Sequence, residues 1–370
     1  MADQTKIEWT DATWNIVTGC SVVSPGCTNC YAMRLAGTRL KHHPSRKGLT
    51  RDTRAGPVWT GEVRFNAQWL EQPLRWKKPR MIFVAAHGDL FADGVTDNQL
   101  DQIFAVMAFC SWHIFQVLTK RPERMREYLL GRRARAGRTL PNAWLGVSVE
   151  DEPRAEERIP VLLETPASLH WVSNEPSLGP INWKRWLPAG RRARRPGGEE
   201  FIAPHFYMTK CEHCGWAGSS ELCGVDSWGD DSDVYCPNCQ RSILADELEK
   251  IGWIVAGGEN GPRSMHPDWA RAARDQAAIA DVPFLFKQWG SWKPSTPAEA
   301  DANPRSGWLS IKGRVDRAVK ASELYPEAGA AFVEHVGKKA AGRLLDGVEH
   351  NGFPPLPAHF KEHADDQKAS

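Results

Sequence analysis

Residues 113–150 read HIFQVLTKRPERMREYLLGRRARAGRTLPNAWLGVSVE and alternate between two kinds of local pattern. The runs His113–Leu118 and Ala143–Val149 are short, apolar and rich in β-branched and aromatic residues, which predicts two buried strands. Pro122–Leu130 lies between them and begins with proline, a residue favoured in the first turn of a helix. A strand, a helix and a second strand in this order predict a parallel βαβ unit.

The same pattern extends from this unit toward both ends of the chain. Five further runs have the character of buried strands: Trp14–Val17, Met81–Ala85, Leu169–Val172, Trp253–Ala256 and Pro283–Phe286. Three more helices are predicted, namely the segment capped by Thr96, Pro153–Leu163 and Pro267–Ala280. About seven such units predict an α/β fold, a TIM-like (β/α) barrel or partial barrel. A doubly wound open sheet is the alternative.

The composition is that of an ordinary globular protein. The 370 residues include 47 Lys and Arg against 45 Asp and Glu, and this near balance excludes a strongly basic coat for non-specific DNA binding. No apolar run approaches the roughly 18 residues that a membrane-spanning helix needs, and the first residues lack the apolar core of a signal peptide. We therefore expect a cytoplasmic protein whose nine cysteines are thiols or metal ligands.

A first cysteine group directly follows the first predicted strand. Cys20, Cys27 and Cys30 have the spacing C-x6-C-x2-C, and thiolates are soft ligands suited to zinc or to iron–sulfur clusters. A structural zinc site uses four ligands, and no fourth cysteine lies nearby. Three thiolates could hold three irons of a [4Fe–4S] cluster and leave one iron open. The alternative is a zinc site completed by a distant Cys or His.

Motifs along most of the chain resemble one known family. They begin with KIEWTDATWN at residues 6–15 and the three-cysteine segment, and they continue through DLF (Asp89–Phe91), LTKRP (Leu118–Pro122), WLGVSVE (Trp144–Glu150), SNEPSLGPI (Ser173–Ile181), GGENG (Gly257–Gly261), MHPDW (Met265–Trp269), FKQWG (Phe286–Gly290) and GKKAAGRLLDG (Gly337–Gly347). The pattern resembles the phage-associated three-cysteine-motif family, radical-SAM-like proteins whose function is largely unassigned. The resemblance spans nearly the whole chain outside residues 184–250.

The resemblance implies a specific chemistry and a radical SAM type of barrel. A [4Fe–4S] cluster on Cys20, Cys27 and Cys30 would bind the amino and carboxylate groups of S-adenosylmethionine through its open iron. One electron from a reductant protein would then cleave the cofactor to methionine and a 5′-deoxyadenosyl radical, which abstracts hydrogen from an unreactive C–H bond. The substrate is unknown, and the phage association favours a nucleotide or a nucleic-acid base.

Polar residues follow nearly every predicted strand, where a barrel places its functional groups. We predict four catalytic residues at these positions: Lys120, Glu150, Glu175 and Lys287. We predict five cofactor-binding residues: Asp89, Ser148, Gly257, Gly258 and Glu259. The motif GGENG resembles the Gly-Gly-Glu motif that holds the amino group of S-adenosylmethionine, so Asp89 and Glu259 both remain open as that contact. The alternative for each residue is an ion pair at the barrel end.

A second cysteine group lies in the segment between the fifth and sixth predicted strands. Its four cysteines form two C-x2-C pairs separated by 21 residues: Cys211, Cys214, Cys236 and Cys239. This spacing is close to that of a zinc ribbon and predicts one structural Zn²⁺ with four thiolate ligands. An auxiliary iron–sulfur cluster is the alternative. A ribbon would stabilise an insertion that is too polar to form its own core.

These patterns divide the chain into four parts and leave three functions to compare. Residues 1–183 form the first part of the barrel with the three-cysteine motif, 184–250 a basic loop and ribbon insertion, 251–290 the last barrel strands and helix, and 291–370 a C-terminal extension. The favoured function is a radical SAM enzyme. The alternatives are a non-catalytic zinc-dependent nucleic-acid-binding protein and a barrel hydrolase that uses strand-end carboxylates.

Overall fold

The fold is taken from a computed structural model of the chain. It describes residues 5–194, 197–198, 200–204, 206–226, 233–243, 247–300, 303–312, 329–357 and 360. The α-helices are α1 (Tyr31–Gly37), α2 (Asp97–Phe109), α3 (Pro122–Ala136), α4 (Glu152–Leu163), α5 (Trp183–Trp186), α6 (Pro267–Ile279) and α7 (Lys338–Ala341). None of these helices combines the length and apolarity that crossing a bilayer requires.

The centre of the fold is one parallel sheet of seven strands. They are β1 (Ala12–Trp14), β2 (Met81–Val84), β3 (Ile114–Thr119), β4 (Ala143–Ser148), β5 (Leu169–Asn174), β6 (Ile251–Gly257) and β7 (Phe284–Gln288). Each of the seven predicted runs contributes one of these strands. The first run differs in detail, because its end, Val17–Thr18, leaves the sheet and pairs with Arg64–Phe65.

The order of the strands in space is their order along the chain. A doubly wound sheet reverses its strand order at a switch point, and the described strands show no such reversal. Because crossovers between parallel strands are right-handed, a sheet that winds in one direction places all its helices on the same face. The sheet therefore curls into a half-barrel, which confirms the α/β class and is compatible with a partial TIM-like barrel.

The convex face of the half-barrel packs against the helices. Leu100 and Ile103 of α2, Ile159 of α4 and Ala273 of α6 are all buried in one core with the outward-facing strand residues. The ends of these helices agree with the sequence. Thr96 and Gln99 form a reciprocal capping box at the start of α2, which satisfies two backbone N–H groups of its first turn.

The concave face is filled by large aromatic residues. Trp144, Trp171 and Trp253 come from three adjacent strands, and Trp9 of the N-terminal segment packs its ring against the last two of them. Gly146 of β4 makes room for this layer, because a Cβ there would lie 2.5 Å from the ring of Trp171. The unusual tryptophan content is therefore partly explained as the filling of the half-barrel.

Shorter elements lie around the sheet. Two hairpin strands, Thr50–Thr53 and Gly56–Trp59, pair beside α1. The insertion between β5 and β6 contains small antiparallel pairs: Gly190–Arg194 with Glu200–Pro204, Met208–Lys210 with Ala217–Ser219 and Glu247–Leu248, and Gly224–Val225 with Val234–Tyr235. After β7, a three-stranded antiparallel sheet forms from Trp292–Pro294, Ser306–Leu309 and Ala331–His335. The 3₁₀ turns are Pro25–Cys27, Ala67–Trp69, Pro73–Arg75 and Ser220–Leu222.

Candidate functional site

A cavity of about 580 Å³ lies at the carboxyl ends of the parallel strands. Ten of the residues predicted to form the barrel site line it: Cys20, Cys27, Cys30, Asp89, Lys120, Ser148, Glu175, Gly258, Glu259 and Lys287. Two predicted residues do not, because Glu150 is buried beneath the wall and Gly257 precedes the lining residue Gly258. The fold thus gathers residues that are up to 267 positions apart (20 to 287) around one space.

A glycine pair brings the first cysteine to this cavity. Gly19 has a φ of +93°, a left-handed conformation that favours glycine, and it forms a backbone bridge with Gly88, which follows β2. A Cβ on Gly88 would lie 2.9 Å from the carbonyl oxygens of Gly19 and Val17. This close backbone approach places Cys20 at the carboxyl end of β2.

The other two cysteines lie on a compact loop that leads into α1. The backbone N–H of Cys27 donates to the Ser24 carbonyl at 2.9 Å, and that of Cys30 donates to the Cys27 carbonyl at 3.3 Å. Cys30 is the residue directly before α1, whose buried side packs on Leu49 and Trp59. The loop that holds Cys27 and Cys30 is therefore fixed by its own turns and by the packing of α1.

The three cysteines do not have the spacing of ligands to one metal ion. One ion bound at about 2.3 Å by tetrahedral thiolates brings every pair of sulfurs to roughly 3.8 Å. Among the residues that the structure describes, the set of potential ligands within 4.8 Å of one another is a different one, at Cys211 and its partners. Cys20, Cys27 and Cys30 line one cavity but do not form such a set.

Arg121 is the cation nearest to the first cysteine. Its Nη1 lies 3.6 Å from Cys20 Sγ and 2.9 Å from Asp89 Oδ2, so one guanidinium group joins a thiol and a carboxylate. Burial and the nearby Asp89 raise the pKa of the Cys20 thiol to about 12, and Arg121 opposes this rise. Burial likewise raises the pKa of Cys30. Both cysteines are therefore thiols at neutral pH unless a metal binds them.

Asp89 is fully engaged by the protein. Its Oδ1 accepts from Thr119 Oγ1 at 2.7 Å and from the Phe91 N–H at 2.9 Å. Its Oδ2 accepts from Arg121 and from the Lys120 N–H at 3.2 Å. These four bonds use the acceptor sites of a carboxylate. Asp89 therefore positions Arg121 beside Cys20, and its predicted contact with a cofactor stays a prediction.

Glu259 is also held by protein groups. Arg263 forms an ion pair with it and donates its own backbone N–H to Oε2 at 3.2 Å. Asn29, between the second and third cysteines, donates to the same oxygen at 3.0 Å. The preceding Gly258 is required by packing, because a Cβ there would overlap the carbonyl group of Trp289. Glu259 thus ties the cysteine loop to the end of β6.

Glu150 lies directly beneath the cysteine loop. Its carboxylate accepts from Ser24 and pairs with Lys120 Nζ at 3.4 Å and with Arg158 Nη1 at 3.1 Å. Burial alone would raise its pKa, but the two cations outweigh burial and hold the pKa below its ordinary value. A Cβ on Gly26 would overlap this carboxylate. Glu150 therefore supports the loop from below rather than facing the cavity.

A second charged pair lies on the opposite wall. Lys287 Nζ is 2.9 Å from the Glu175 carboxylate, which also accepts from Gln288 Nε2 at 3.0 Å. Gly257 lies beside this pair, since its Cβ position is 3.5 Å from Glu175. Both predicted lysines, Lys120 and Lys287, therefore form ion pairs at the strand ends, which is the alternative that the sequence left open for them. These pairs still line the cavity, so they remain available to a bound ligand.

The sequence did not single out four residues that shape this site: Ser24, Asn29, Arg158 and Arg263. Ser24 and Asn29 lie inside the three-cysteine motif, and their position there was the available signal. Arg158 and Arg263 follow no recognisable spacing. Three residues that line the cavity carry a buried polar atom with no hydrogen-bond partner among the described residues: Glu8 (Oε2), Trp9 (the indole Nε1) and Gln288 (Oε1). A polar ligand would satisfy them.

The second cysteine group forms a compact four-sulfur site, as its spacing predicts. The ligand atoms of Cys211, Cys214, Cys236 and Cys239 all lie within 4.8 Å of one another. The Cys211–Cys239 sulfurs are 3.7 Å apart and the Cys214–Cys236 sulfurs are 3.6 Å apart. These distances match the edge of roughly 3.8 Å in a tetrahedral thiolate site. This set can hold one metal ion.

Two matching turns present these sulfurs. Each begins at a cysteine whose carbonyl accepts from the N–H four residues later, Gly215 for Cys211 and Gln240 for Cys236. Gly215 and Gln240 both have positive φ, 75° and 59°. The hydrogen bond that Asn238 donates lowers the pKa of Cys214 to about 6. The site can therefore provide a thiolate at neutral pH.

The four-cysteine unit lies on the outer side of the half-barrel. Lys210 forms an ion pair with Glu164 at the end of α4, and Arg185 Nε donates to the Ala217 carbonyl at 2.9 Å. None of its described residues lines the cavity at the strand ends. The unit is therefore separate from the candidate site.

The comparisons with known proteins give a family without an assigned activity. No curated protein and no solved structure matches the chain. One family model, described as a protein of unknown function, matches residues 4–354. That range includes the three-cysteine motif, all seven strands of the sheet and the four-cysteine unit. The chain therefore belongs to the DUF5131 family of proteins of unknown function.

Proposed function

We propose that this protein is a radical SAM-type enzyme whose catalytic centre is the cavity at the strand ends. One observation carries the proposal: three cysteines from one short motif line the same cavity as the polar residues that end six of the seven strands. The proposed fold is accordingly a partial barrel of the radical SAM type. Each motif that resembles the three-cysteine-motif family, except MHPDW, contributes at least one residue to the wall of this cavity.

The residues present fit a [4Fe–4S] cluster. Cys20, Cys27 and Cys30 would hold it, since each offers one soft ligand and their separation is wider than one ion allows. Arg121 donates toward Cys20 and would offset part of the thiolate charge. When bound, such a cluster supplies the one-electron reductive cleavage of S-adenosylmethionine to a 5′-deoxyadenosyl radical, given a reductant protein.

The surrounding charged residues keep the cysteine loop in place. Asp89 fixes Arg121 at Cys20, Glu259 fixes Asn29 between Cys27 and Cys30, and Glu150 supports Ser24. Each bond joins the loop to the carboxyl end of a different strand. A loop held at three points keeps its ligands in one geometry without a metal, which lowers the cost of binding one.

The remaining lining residues combine an apolar surface with a few polar groups, which suits a polar organic ligand. Phe83, Leu118 and Trp9 form an apolar floor. Polar lining groups are the hydroxyls of Ser148 and Ser173 and the unpartnered Oε1 of Gln288. These groups could accept from the N–H groups of the S-adenosylmethionine amino group, a role for which Asp89 and Glu259 have no unused acceptor site. The Lys287–Glu175 pair would face a substrate.

The two alternative functions are less well supported by the same site. A zinc-dependent binding protein requires single-ion spacing at both cysteine groups, and the three-cysteine group lacks it. A hydrolase needs a free carboxylate general base. The four carboxylates predicted at the strand ends, Asp89, Glu150, Glu175 and Glu259, are each engaged by a cation. Glu8 of the N-terminal segment is the lining carboxylate with an unpartnered oxygen, and it is the residue on which a hydrolase would have to rely.

The proposal is tested by the product of cofactor cleavage. Protein purified without oxygen and reconstituted with iron and sulfide should convert S-adenosylmethionine to 5′-deoxyadenosine when dithionite is added, measured by chromatography. The reaction without dithionite is the control, because cleavage requires the electron. A reconstituted protein that contains iron, binds S-adenosylmethionine and yet releases no 5′-deoxyadenosine would contradict the proposed reaction.

We assign a separate, structural role to the four-cysteine unit, with Zn²⁺ as its metal. Replacing Cys214 and Cys239 together by serine should reduce the zinc content from one per chain to none. Because metal binding provides about 10–16 kcal/mol to such small units, the backbone of residues 206–226 and 233–243 should lose its protection from hydrogen exchange. Zinc analysis and hydrogen exchange followed by mass spectrometry measure both effects.

The matched control for this unit is Cys223→Ala. Cys223 packs in the same small core but lies outside the four-sulfur set, so this variant should keep its zinc and its protection. The strands of the main sheet should stay protected in both variants. Iron with sulfide at this site, in place of zinc, would favour the auxiliary cluster instead.

A further inference from the structure

A second cavity, of about 560 Å³, adjoins the first at the β1 edge of the half-barrel. Thr13 of β1 and the following Asn15 form part of its wall. The two cavities share five lining residues: Lys6, Ile7, Tyr31, Ala86 and Lys338. A molecule that occupies one can therefore extend into the other. The proposed function uses only the first cavity.

The wall of the second cavity is positively charged. Four of its lining residues are cations: Lys6, Arg39, Arg46 and Lys338. Two histidines, His43 and His87, line it as well, whereas no Asp or Glu does so among the described residues. The net charge of the whole chain is only +2, so this concentration of one sign is local. Such a cavity attracts an anion.

Arg46 is the residue that makes this cavity more than a basic surface. Arg46 is 4% exposed. Its guanidinium group donates to Ser45 Oγ and to His87 Nδ1, the latter at 2.6 Å. It also lies over the ring of Trp69, 5.7 Å from the centroid. In the described part of the chain, no carboxylate lies within 4.0 Å of it. A buried charge without a counter-ion is costly, so an anion here would stabilise the site.

The two histidines add donors of hydrogen bonds. His87 Nδ1 accepts from Arg46, and His43 Nδ1 accepts from the Ser45 N–H at 3.2 Å. Nδ1 is thus the acceptor in both of these bonds, which leaves the Nε2 of each ring as a donor. Burial, with Arg46 next to it, lowers the pKa of His87 to about 4, so this ring is neutral at pH 7. Arginine and imidazole N–H donors together form a common kind of oxyanion site.

We infer that the second cavity binds a phosphate group of the substrate, while the rest of the substrate reaches into the first cavity. This inference rests on the proposed function, because the first cavity is where that substrate would react. The carboxylate of S-adenosylmethionine is assigned to the cluster in the first cavity, and neither this cofactor nor its cleavage products contain phosphate, so a phosphate bound in the second cavity would belong to the second substrate. The substrate class is therefore an organic phosphate ester such as a nucleotide.

Calorimetry with three probes tests this assignment: inorganic phosphate, deoxyadenosine 5′-monophosphate and deoxyadenosine. Phosphate and the nucleotide should bind at one site, and the nucleotide should bind more tightly because its organic part occupies the adjoining cavity. Deoxyadenosine should bind at least tenfold more weakly than its phosphate ester. Equal binding of nucleoside and nucleotide would overturn the assignment, and so would phosphate binding that the ester does not exceed.

Variants separate a specific site from general charge attraction. Arg46→Gln should weaken phosphate binding about ten- to a hundredfold, the range for losing hydrogen bonds to a charged group. Lys338→Gln, at an exposed position, should weaken it without risk to folding. The matched control is Arg54→Gln, which removes the same charge from an exposed hairpin turn outside the cavity. Identical affinities in Lys338→Gln and Arg54→Gln, together with no loss in folded Arg46→Gln, would refute the site.

The same titrations on a variant that lacks Cys20, Cys27 and Cys30 separate this inference from the proposed function. Phosphate binding should persist there, because none of the three cysteines lines the second cavity. If phosphate binds and no 5′-deoxyadenosine forms with iron-loaded wild type, the proposed chemistry fails and the anion site stands. If 5′-deoxyadenosine forms and phosphate does not bind, the anion site is refuted alone.

Discussion

Replacing Cys20, Cys27 and Cys30 together by alanine is expected to abolish iron binding and to leave the zinc of the four-cysteine unit in place. The wild-type protein, reconstituted without oxygen, should contain about four irons and four sulfides per chain. The variant should contain none, because the cavity wall offers no other soft ligand among the described residues. Iron, sulfide and zinc are quantified on both proteins, and the absorbance of the cluster provides an independent measure.

Cys110→Ala is the matched control for this experiment. Cys110 is as deeply buried as a residue can be, in the core between α2 and the sheet, and lies outside both cysteine groups. Its loss should therefore change neither metal. Zinc at both groups of the wild type, with no iron after reconstitution, would remove the radical chemistry and favour the zinc-dependent binding protein.

The second large effect concerns Glu150→Gln, which we expect to lower the free energy of unfolding by about 3–5 kcal/mol at pH 7. Glu150 and Arg158 are 0% and 1% exposed in their side chains. Removing one partner of a buried ion pair leaves the other charge uncompensated, and this loss has the stated magnitude. The variant would leave Lys120 without its anion and Arg158 with only the exposed carboxylate of Glu157. Urea denaturation followed by circular dichroism measures the change.

Glu157→Gln provides the comparison on the same arginine. Glu157 approaches Arg158 Nε at 3.7 Å, but its side chain is 54% exposed. Water screens such a pair, so its loss should cost at most about 1 kcal/mol. Similar losses in the two variants would contradict the importance that we give to burial.

At acidic pH, the free energies of unfolding of Glu150→Gln and of the wild type should differ less than at pH 7. The pKa of Glu150 is lowered in the folded protein, so its carboxylate stabilises the fold fully above about pH 4.3, the ordinary value for the unfolded chain. As the pH falls through the lowered folded-state pKa, this contribution disappears. Denaturation midpoints of both proteins between pH 7 and pH 3 measure the effect. A constant difference across that range would show that Glu150 is not the titrating group.

The seven strands could be predicted because each is a short apolar run, buried on both faces of a parallel sheet. Such strands lack polar alternation, and the helices between them have caps and apolar faces that the sequence displays. The first run differs most, because Trp14–Val17 overlaps β1 only at Trp14, and Val17 turns away with Thr18 to pair with a distant strand. That departure depends on Gly19 and Gly88 meeting across 69 positions (19 to 88), which local patterns do not report.

The cysteine groups differ in how much their spacing could predict. Each C-x2-C pair forms a local turn that presents two sulfurs, so the spacing alone predicted the four ligands, and the structure brings the two turns together. The three-cysteine group does not consist of two such turns, so its spacing did not predict how its sulfurs are arranged. Only the tertiary structure, in which the loop packs against the ends of β2, β4 and β6, shows that its sulfurs are not spaced for a single metal ion.

The sequence alone determined the class of fold, the positions of the strands and the two sets of candidate metal ligands, since these depend on local periodicity and residue type. The tertiary structure decided what the polar residues do. Asp89, Glu150 and Glu259 were expected to contact ligands, and in the structure each is paired with a cation: Arg121 from the end of the next strand, Arg158 from the following helix and Arg263 from four residues further along the chain. Arg46, which no motif marks, is buried without an anion. Whether a charge is paired depends on its neighbours in space, and the chain order does not contain that information.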